Sequence, residues 1–446
     1  MSIKPERRWS ALLAAVLLAN AFAATPSTVS GRNALDLLLK GRYDEFSQLL
    51  TDDAKTLLTP QFLRDRVGAE IAGFGTLEQV GEPETAKAGL NIDVVSFPTR
   101  FSKTTVAIQL TMNAAGRVAG LHFRPTSQPL PAAWVRPAYS NPALFRERAV
   151  TVGEDPWKLG GTLTVPVGTG RFAAIVLVHG AGPNDRDESM NANRMFADIA
   201  EGLSSRNIVV LRYDKRTRAY ASQMSGTDYT LREETIEDAV QAVALLRKQP
   251  EVDPERVYVL GHSLGGYAIP RIISESDKQG GRIAGAVFLA ANARHIEDVG
   301  LEQAEFVLKD GGPPDSLKQL QMIKGQVELV RHLDPKRQYP STLLGLPVVY
   351  FFDLKDYNPV ADAARLPIPL LFLQGERDFQ VTMEDFGLWK TGLAGSQHAS
   401  FHSYPALNHL FIAGQGPASP TEYRKAGNVA PAVIDDLAQW LLAPKR

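Results

Sequence analysis

The second half of the chain alternates short apolar runs with longer stretches of helical spacing. The apolar runs predict buried strands at Ala173–Val178, Ile208–Arg212, Val257–Leu260, Ala284–Leu289, Ile368–Leu373 and, more weakly, Ser400–Tyr404. The other stretches predict helices at Asn191–Ser204, Glu233–Lys248, Leu264–Ser276, Met383–Leu393 and Ala430–Leu442. Continuous apolar runs are typical of strands that are covered on both faces. The pattern therefore predicts an α/β domain with a mostly parallel, doubly wound sheet.

Two features modify this simple alternation. The strand patterns Arg148–Val152 and Leu159–Val165 predict an antiparallel hairpin at the start of the domain, which we place at residues 148–446. Later, the alternation stops over residues 291–365, where helical patterns occur instead at Ile296–Lys309 and Pro314–His332. Long connections in compact α/β domains are usually functional, so we expect a helical lid over the strand ends. The alternative is a plain surface excursion.

A second, smaller domain is predicted at residues 25–124. Its helical patterns come first and its strand patterns follow, at Asn33–Lys40, Arg42–Leu50, Gln61–Ala72, Asn91–Ser96, Thr104–Met112 and Val118–Phe123. Helices followed by an antiparallel meander indicate an α+β layout. Residues 125–147 are rich in proline and predict an extended, fairly stiff linker between the two domains.

Residues 1–23 have the features of an export signal. Positive charges come first, and an apolar run from Trp9 to Phe22 follows that is too short to span a bilayer comfortably. An A-x-A cleavage site, Ala21 to Ala23, comes last, so the mature chain is expected to start near Ala24. The order of these features predicts a periplasmic or secreted protein without stable membrane insertion. The alternatives are an uncleaved anchor or a buried helix.

Composition narrows the possible chemistry. The chain of 446 residues is long enough for two domains, and its 48 Lys and Arg nearly balance its 49 Asp and Glu. This balance gives no electrostatic reason to expect nucleic acid or a charged membrane as a partner. The chain has no cysteine, which excludes disulfides, thiolate metal sites and a thiol nucleophile. The histidines have no metal-ligand spacing, so neither a metal nor another cofactor is expected.

The sequence Gly261-His-Ser-Leu-Gly265 follows a predicted strand and precedes a predicted helix. This context is typical of a nucleophile elbow, a sharp turn that exposes a serine hydroxyl. Ser263 is therefore the candidate nucleophile, and the glycines two positions before and after it leave room for the neighbouring strand and helix. The N–H of Leu264 would lie at the helix N-terminus and could donate to an oxyanion. The alternative is an ordinary glycine-rich turn between a strand and a helix.

A serine nucleophile needs a base and an acid that orients the base. The chain offers Asp378 and Glu376 in the loop after the strand Ile368–Leu373, with Asp353 a more distant candidate for the acid. For the base we favour His409, which follows the last strand, over His398 and His402. Nucleophile, acid and base then occur along the chain in the order Ser, acid, His, and all three follow strand ends at one sheet edge.

A second oxyanion donor is expected in the loop after the first parallel strand. There the sequence is His179-Gly-Ala-Gly182, and the N–H of Ala181 is the candidate. His179 and His262 are expected to shape the site rather than to transfer protons. The charged segments 184–187 and 212–216 are expected to be structural, as an ion-paired loop and as a brace at a strand end; the alternative for residues 184–187 is contact with the substrate.

Residues 148–446 resemble exported bacterial esterases of the serine α/β-hydrolase group. The resemblance rests on the blocks His179–Asp187, Arg212–Arg216, Gly261–Gly266, Gly375–Asp378 and Asn408–His409. Members of this group have also been classed with serine aminopeptidases and dienelactone hydrolases. The resemblance implies the α/β-hydrolase fold, Ser263, Asp378 and His409 as a catalytic triad, and carboxylesterase activity on small acyl esters. One departure is Thr217-Arg218-Ala219, where the group often has a glycine-rich turn.

The N-terminal domain carries no visible catalytic constellation. Its segment Gly41–Phe46 is similar to the start of a small domain of unknown function that precedes some bacterial hydrolases and has an NTF2-like or cystatin-like fold. The sequence does not indicate a partner for it. For the whole protein, a small-molecule ester is the expected substrate. The alternatives are a serine peptidase or aminopeptidase of the same fold and a non-catalytic binding protein.

Overall fold

The computed structural model describes residues 26–81, 83–89, 92–126, 134–224, 226–309 and 316–443. The predicted signal peptide, residues 1–23, lies outside these ranges, as do residues 127–133 of the predicted linker. Within the described ranges, every helix is too short or too polar to span a lipid bilayer.

The N-terminal domain packs helices against one antiparallel sheet. The helices are α1 (Pro26–Leu39), α2 (Tyr43–Gln48), α3 (Asp52–Leu57), α4 (Pro60–Phe62) and α5 (Gly68–Gly73), with a π-helical segment at Leu63–Val67. The strands are β1 (Leu77–Val80), β2 (Glu84–Gly89), β3 (Ile92–Phe101), β4 (Thr105–Asn113) and β5 (Val118–Pro125). The sheet order is β1-β3-β4-β5, and β2 also pairs with β3. The predicted α+β layout is confirmed.

The second domain begins with strand β6 at Phe145, three residues before the predicted boundary. Its strands are β6 (Phe145–Val152), β7 (Leu159–Pro166), β8 (Phe172–Val178), β9 (Ser189–Met190), β10 (Asn193–Arg194), β11 (Ile208–Tyr213), β12 (Val252–His262), β13 (Ala286–Leu289), β14 (Thr342–Leu343), β15 (Leu346–Pro347), β16 (Leu370–Gly375) and β17 (Ala399–Tyr404). Its helices are α6 (Met195–Ser204), α7 (Arg216–Ala219), α8 (Ala221–Met224), α9 (Glu237–Arg247), α10 (Leu264–Lys278), α11 (Ile296–Lys309), α12 (Ser316–Arg331), α13 (Val348–Leu354), α14 (Pro359–Ala363), α15 (Met383–Gly392) and α16 (Pro431–Leu442). A π-helical segment at Arg232–Ile236 precedes α9.

Eight of these strands form one sheet in the order β17-β16-β13-β12-β8-β11-β7-β6. The pairs β6/β7 and β7/β11 are antiparallel, and the other neighbours are parallel. The predicted hairpin and the mostly parallel sheet are therefore both confirmed. Because β12, β16 and β17 run parallel, the loops that carry Ser263, Asp378 and His409 leave the sheet at the same edge.

The sheet is covered on both faces, as its continuous apolar strands require. In β8, Ala174 and Val176 join the core on the face of α9, α10 and α15. Ile175 and Leu177 join the core on the opposite face, with α6 and α16. Each buried valine, isoleucine or leucine side chain of this kind stabilises the fold by about 1.5–3 kcal/mol.

The helical insertion, residues 291–365, carries α11 to α14 between β13 and β16. It packs against the loop after β16: the ring of Phe306 stacks on Phe379 with centroids 4.7 Å apart, and Gln303 Nε2 donates to Gln380 O at 2.9 Å. The insertion therefore contacts the residues that directly follow Asp378. Its residues 310–315 lie outside the described part of the chain.

The described end of the linker lies against the second domain rather than free in solvent. Trp134 Nε1 donates to Asp198 at 2.9 Å, and Arg136 Nε donates to Glu201 at 2.6 Å, both on α6. The two domains also meet directly through the ion pair between Asp36 on α1 and Arg218, 3.0 Å apart. The described end of the linker is thus packed on α6 of the second domain.

Candidate active site

Ser263 occupies the sharp turn between β12 and α10. Its backbone has φ 51° and ψ −119°, a conformation that L-residues rarely adopt and that is retained mainly at functional turns. The flanking glycines explain why the chain can turn here. A Cβ on Gly265 would lie 2.4 Å from Val178 O, and a Cβ on Gly261 would lie 2.4 Å from the backbone of Gly265. The elbow predicted from the sequence is therefore present.

The structure brings Asp378 and His409 together. His409 Nδ1 lies 2.6 Å from Asp378 Oδ2, and both side chains are almost fully buried. The other oxygen, Oδ1, accepts the backbone N–H groups of Gln380 at 2.7 Å and Val381 at 3.0 Å. A carboxylate held in this way fixes the histidine ring, with Nδ1 as the donor and Nε2 turned away from the acid.

The alternative acids lie elsewhere. Glu376 is exposed and accepts the hydroxyl of Ser403 at 2.8 Å, on the outer side of the same loop. Asp353 belongs to α13 and pairs with Arg271 at 2.7 Å. The structure therefore places Asp378, and neither of the other two, against His409.

Ser263 lies near His409 through its sequence neighbour His262. The rings of His262 and His409 have centroids 4.4 Å apart, and His262 Nε2 lies 3.1 Å from His409 O. Among the described residues, the Ser263 hydroxyl makes no hydrogen bond, to His409 or to any other group. Catalytic hydrogen bonds often tighten only in the substrate complex, so the missing bond does not count against Ser263 and His409 acting together.

Both predicted oxyanion donors are free to bind a ligand. The N–H of Leu264 is the first of helix α10, and the N–H of Ala181 lies in an exposed loop position. Neither group donates to an acceptor in the described ranges. The loop is next to the nucleophile, because a Cβ on Gly180 would lie 3.1 Å from the Cβ of Ser263. Two N–H groups beside a serine can stabilise a developing negative charge.

Comparison with known proteins identifies the family to which this fold belongs. A model described as "Alpha/beta hydrolase family" matches residues 175–423, more than half of the chain. The chain belongs to the alpha/beta hydrolase family.

Several named proteins are similar to this chain. Esterase EstD from Thermotoga maritima is 37% identical over 374 residues, which cover 84% of this chain and 83% of that protein. The solved structure of Est1E from Butyrivibrio proteoclasticus is 17% identical, covers 66% of this chain and 97% of its own, and has a TM-score of 0.43. A puromycin-hydrolyzing peptidase from Mycobacterium tuberculosis is 17% identical, with a TM-score of 0.42 over 79% of this chain and 45% of its own.

This alpha/beta hydrolase also has a buried ion pair that sequence reasoning missed. Glu188 accepts the N–H of Gly180 at 2.6 Å, and its second oxygen lies 3.1 Å from His262 Nδ1. Burial is the largest single influence and lowers the pKa of His262, but the charge and contact of Glu188, the carbonyl of His409 and the charge of Asp378 together raise it overall. His262 Nε2 faces a carbonyl oxygen and Nδ1 faces a carboxylate oxygen, and both oxygens only accept, so this site favours the ring with both nitrogens protonated. No sequence signal pairs Glu188 with His262, because 74 positions separate them.

We expect Glu188→Gln to lower the free energy of unfolding by about 3 kcal/mol near pH 6, because it leaves a buried charge unpaired. His262 has a raised folded-state pKa. The stability that His262 contributes is therefore complete at pH values below its unfolded-state pKa of about 6.5. It is lost as the pH rises through the folded-state pKa. The loss caused by Glu188→Gln should be smaller at about pH 9, as denaturant unfolding at both pH values would measure.

Asp385→Asn provides the matched control for this prediction. Asp385 is also buried, but its partner Arg294 does not titrate in this range. Its loss of stability should be the same at both pH values. An equal loss at both pH values for Glu188→Gln as well would contradict a charged His262.

The predicted structural roles of the charged segments agree with the contacts. Arg186 pairs with Asp214 at 2.6 Å, and Arg212 contacts both Asp187 and Glu147. These pairs join the loop after β8 to the end of β11. His179 also packs rather than titrates, since burial lowers its pKa to about 4 and keeps the ring neutral. Among the described residues, no three His, Asp or Glu side chains cluster as metal ligands would.

Proposed function

We propose that this alpha/beta hydrolase cleaves carboxylic esters of small acyl groups through an acyl-enzyme on Ser263. One observation carries the proposal: an acid and a histidine 2.6 Å apart, Asp378 and His409, lie beside a serine held in a strained elbow. The 37% identity with Esterase EstD over most of both chains supports an ester as the substrate. The chain is thus an ester-hydrolysing enzyme. We propose in addition that its acyl groups are small and that Ser263, Asp378 and His409 carry out the reaction.

The reaction would proceed in two halves. In the first, His409 Nε2 takes the proton of Ser263, whose Oγ attacks the ester carbonyl carbon. The carbonyl oxygen becomes an oxyanion held by the N–H groups of Leu264 and Ala181. As the tetrahedral intermediate collapses, the bond to the leaving alcohol breaks and His409 returns the proton to that alcohol.

The second half removes the acyl group. Water takes the place of the alcohol and gives a proton to His409 as its oxygen attacks the acyl carbonyl. The second tetrahedral intermediate then breaks its bond to Ser263, which regains the proton, and the carboxylic acid leaves. Asp378 stays ionised in both halves and stabilises the positive charge that forms on the histidine ring. No step uses a metal or another cofactor.

The acyl site would lie under the helical insertion. Phe306 of the insertion and Phe379 beside the acid form a stacked apolar pair next to the proposed triad. An apolar surface at this position favours an acyl chain over a charged group. We propose that the insertion acts as a lid over this site.

The test is a comparison of ester and amide substrates with the mature chain, beginning at Ala24. We expect turnover of p-nitrophenyl acetate and butyrate, slower turnover of the octanoate, and little turnover of aminoacyl-nitroanilides. A preference for the nitroanilides would move the assignment to a peptidase. Absence of turnover, together with no labelling of Ser263 by a fluorophosphonate probe, would contradict hydrolase function and favour a binding protein.

We also propose that the protein is exported to the periplasm or beyond. The charged start, the apolar run and the A-x-A site of residues 1–23 support this proposal. Sequencing the N-terminus of protein recovered from the periplasm or medium should give a start near Ala24. Recovery of an uncleaved chain, attached to the membrane, would contradict it.

A further inference from the structure

A buried lysine contacts the loop that carries one of the proposed oxyanion donors. Lys215 is only 2% exposed, and its Nζ donates to Gly180 O at 2.7 Å and to Glu234 Oε1 at 2.6 Å. Burying an ammonium group is costly unless it is paired and hydrogen-bonded, and Lys215 is both. The proposed acyl transfer does not use it directly.

The contact acts on the peptide group that would bind the oxyanion. The carbonyl of Gly180 and the N–H of Ala181 belong to one planar trans peptide, in which the two bonds point in opposite directions. Fixing the oxygen therefore fixes the direction of the Ala181 N–H. Asn184 Nδ2 holds the same oxygen from a second direction, at 3.2 Å.

The charge of the lysine adds a second effect. A cation on a carbonyl oxygen draws electron density from the peptide, and hydrogen bonds in such chains strengthen one another. The N–H of Ala181 should therefore be a stronger donor than a peptide bound only to water. The contact between Lys215 Nζ and Gly180 O is buried. The effect of the charge is therefore larger than in water, because the effective dielectric constant is lower.

The insertion holds the other end of this chain of contacts. Tyr350, on α13, is fully buried and donates its hydroxyl to Glu234 Oε2 at 2.6 Å. Burial, with the negative charge of Glu234 acting in the same direction, raises the pKa of Tyr350 well above its usual range, so the hydroxyl stays a donor. The three side chains thus run without a break from the insertion to the oxyanion loop.

We propose that Lys215 is a positioning residue that orients and polarises the Gly180–Ala181 peptide, and that Glu234 and Tyr350 hold its ammonium group in place. Docking of the insertion thereby sets the geometry of the oxyanion site. The inference rests on the proposed function, because it concerns the same reaction. The inference predicts that variants of Lys215, Glu234 or Tyr350 bind the transition state more weakly and bind the substrate as before.

The first test is Tyr350→Phe, which removes one hydroxyl and keeps the ring. We expect kcat for p-nitrophenyl butyrate to fall about 5- to 10-fold with KM unchanged within about 2-fold, a partial loss compared with the roughly 100-fold or more for a whole oxyanion donor. Binding of a trifluoromethyl ketone, which forms a tetrahedral oxyanion on the serine, should weaken by the same factor as kcat/KM. Titrating the active sites with a fluorophosphonate corrects each rate for misfolded protein.

The matched control is Tyr357→Phe. Tyr357 is another buried tyrosine of the insertion, and its hydroxyl donates to Tyr267 O at 2.8 Å, outside the chain of contacts. It should keep the wild-type kcat per active site. An equal fall for both variants would show that any loosening of the insertion matters, and it would overturn the specific role of Tyr350 and Lys215.

A second variant tests the lysine itself. Lys215→Met combined with Glu234→Gln removes both charges together, so no buried charge is left unpaired. We expect kcat to fall about 10- to 100-fold with KM unchanged. A wild-type kcat in this double variant, in an enzyme that hydrolyses esters and depends on Ser263, would overturn the inference alone. Failure of the wild type to hydrolyse esters would instead overturn the proposed function.

Discussion

Replacing Ser263 with alanine is expected to lower kcat for ester hydrolysis by about 10⁵- to 10⁶-fold. The hydroxyl is the proposed attacking group, and the neighbours of Ser263 in the strained turn, His262 and Leu264, would not replace it. The N–H groups of Leu264 and Ala181 remain in the variant, so slow turnover above the uncatalysed rate should persist. Stopped assays with p-nitrophenyl butyrate at high enzyme concentration would measure it.

Ser403→Ala is the matched control for this loss. Its hydroxyl bonds to the exposed Glu376, at the end of the last strand, and should have no part in the reaction. It should keep the wild-type rate, and both variants should unfold at temperatures close to that of the wild type. Retention of more than about a hundredth of wild-type activity by Ser263→Ala would exclude Ser263 as the nucleophile.

Replacing Asp378 with asparagine should lower kcat by about 10⁴-fold with little change in KM. The variant keeps the shape of the side chain and its acceptor oxygen for Gln380 and Val381. Its amide would face His409 Nδ1 as a donor, which favours the wrong tautomer of the ring and leaves no negative charge to stabilise the imidazolium. The steady-state rate of p-nitrophenyl butyrate hydrolysis measures the effect.

Glu376→Gln decides between the two acids that the sequence left open. Glu376 is exposed and two residues away from Asp378, so its change tests the same loop without touching His409. We expect a rate within about 2-fold of the wild type, as for most surface substitutions. A large loss in Glu376→Gln, with activity kept in Asp378→Asn, would reverse the assignment of the acid.

The sheet could be predicted from the sequence because its strands are buried on both faces. Runs such as Ala173–Val178 are apolar throughout, and that pattern has few interpretations. Strands β1 and β2 of the N-terminal domain were missed, since Leu77–Val80 and Glu84–Gly89 are short and partly charged. Polar strands of this kind show no alternation that a single sequence can reveal.

Only the residues of the candidate site that belong to sequence motifs could be predicted. Ser263 and Ala181 lie between glycines, in the short motifs expected of a nucleophile elbow and an oxyanion loop. His409 follows the end of a predicted strand. The pairs Glu188–His262 and Lys215–Glu234 have no such spacing, because they join segments that only the fold brings together. The sequence did indicate charged residues after β8 and β11, but it did not indicate their partners.

The docked linker has a practical consequence for where this enzyme can be cut. Asp198 receives hydrogen bonds from Trp134, Asn428 and the N–H of Val429, and burial raises its pKa to about 6. Trimming the chain to begin at Arg148 would remove the Trp134 indole N–H from Asp198 and the Arg136 guanidinium from Glu201. A shortened enzyme that retains the second domain together with these contacts should therefore begin before Trp134.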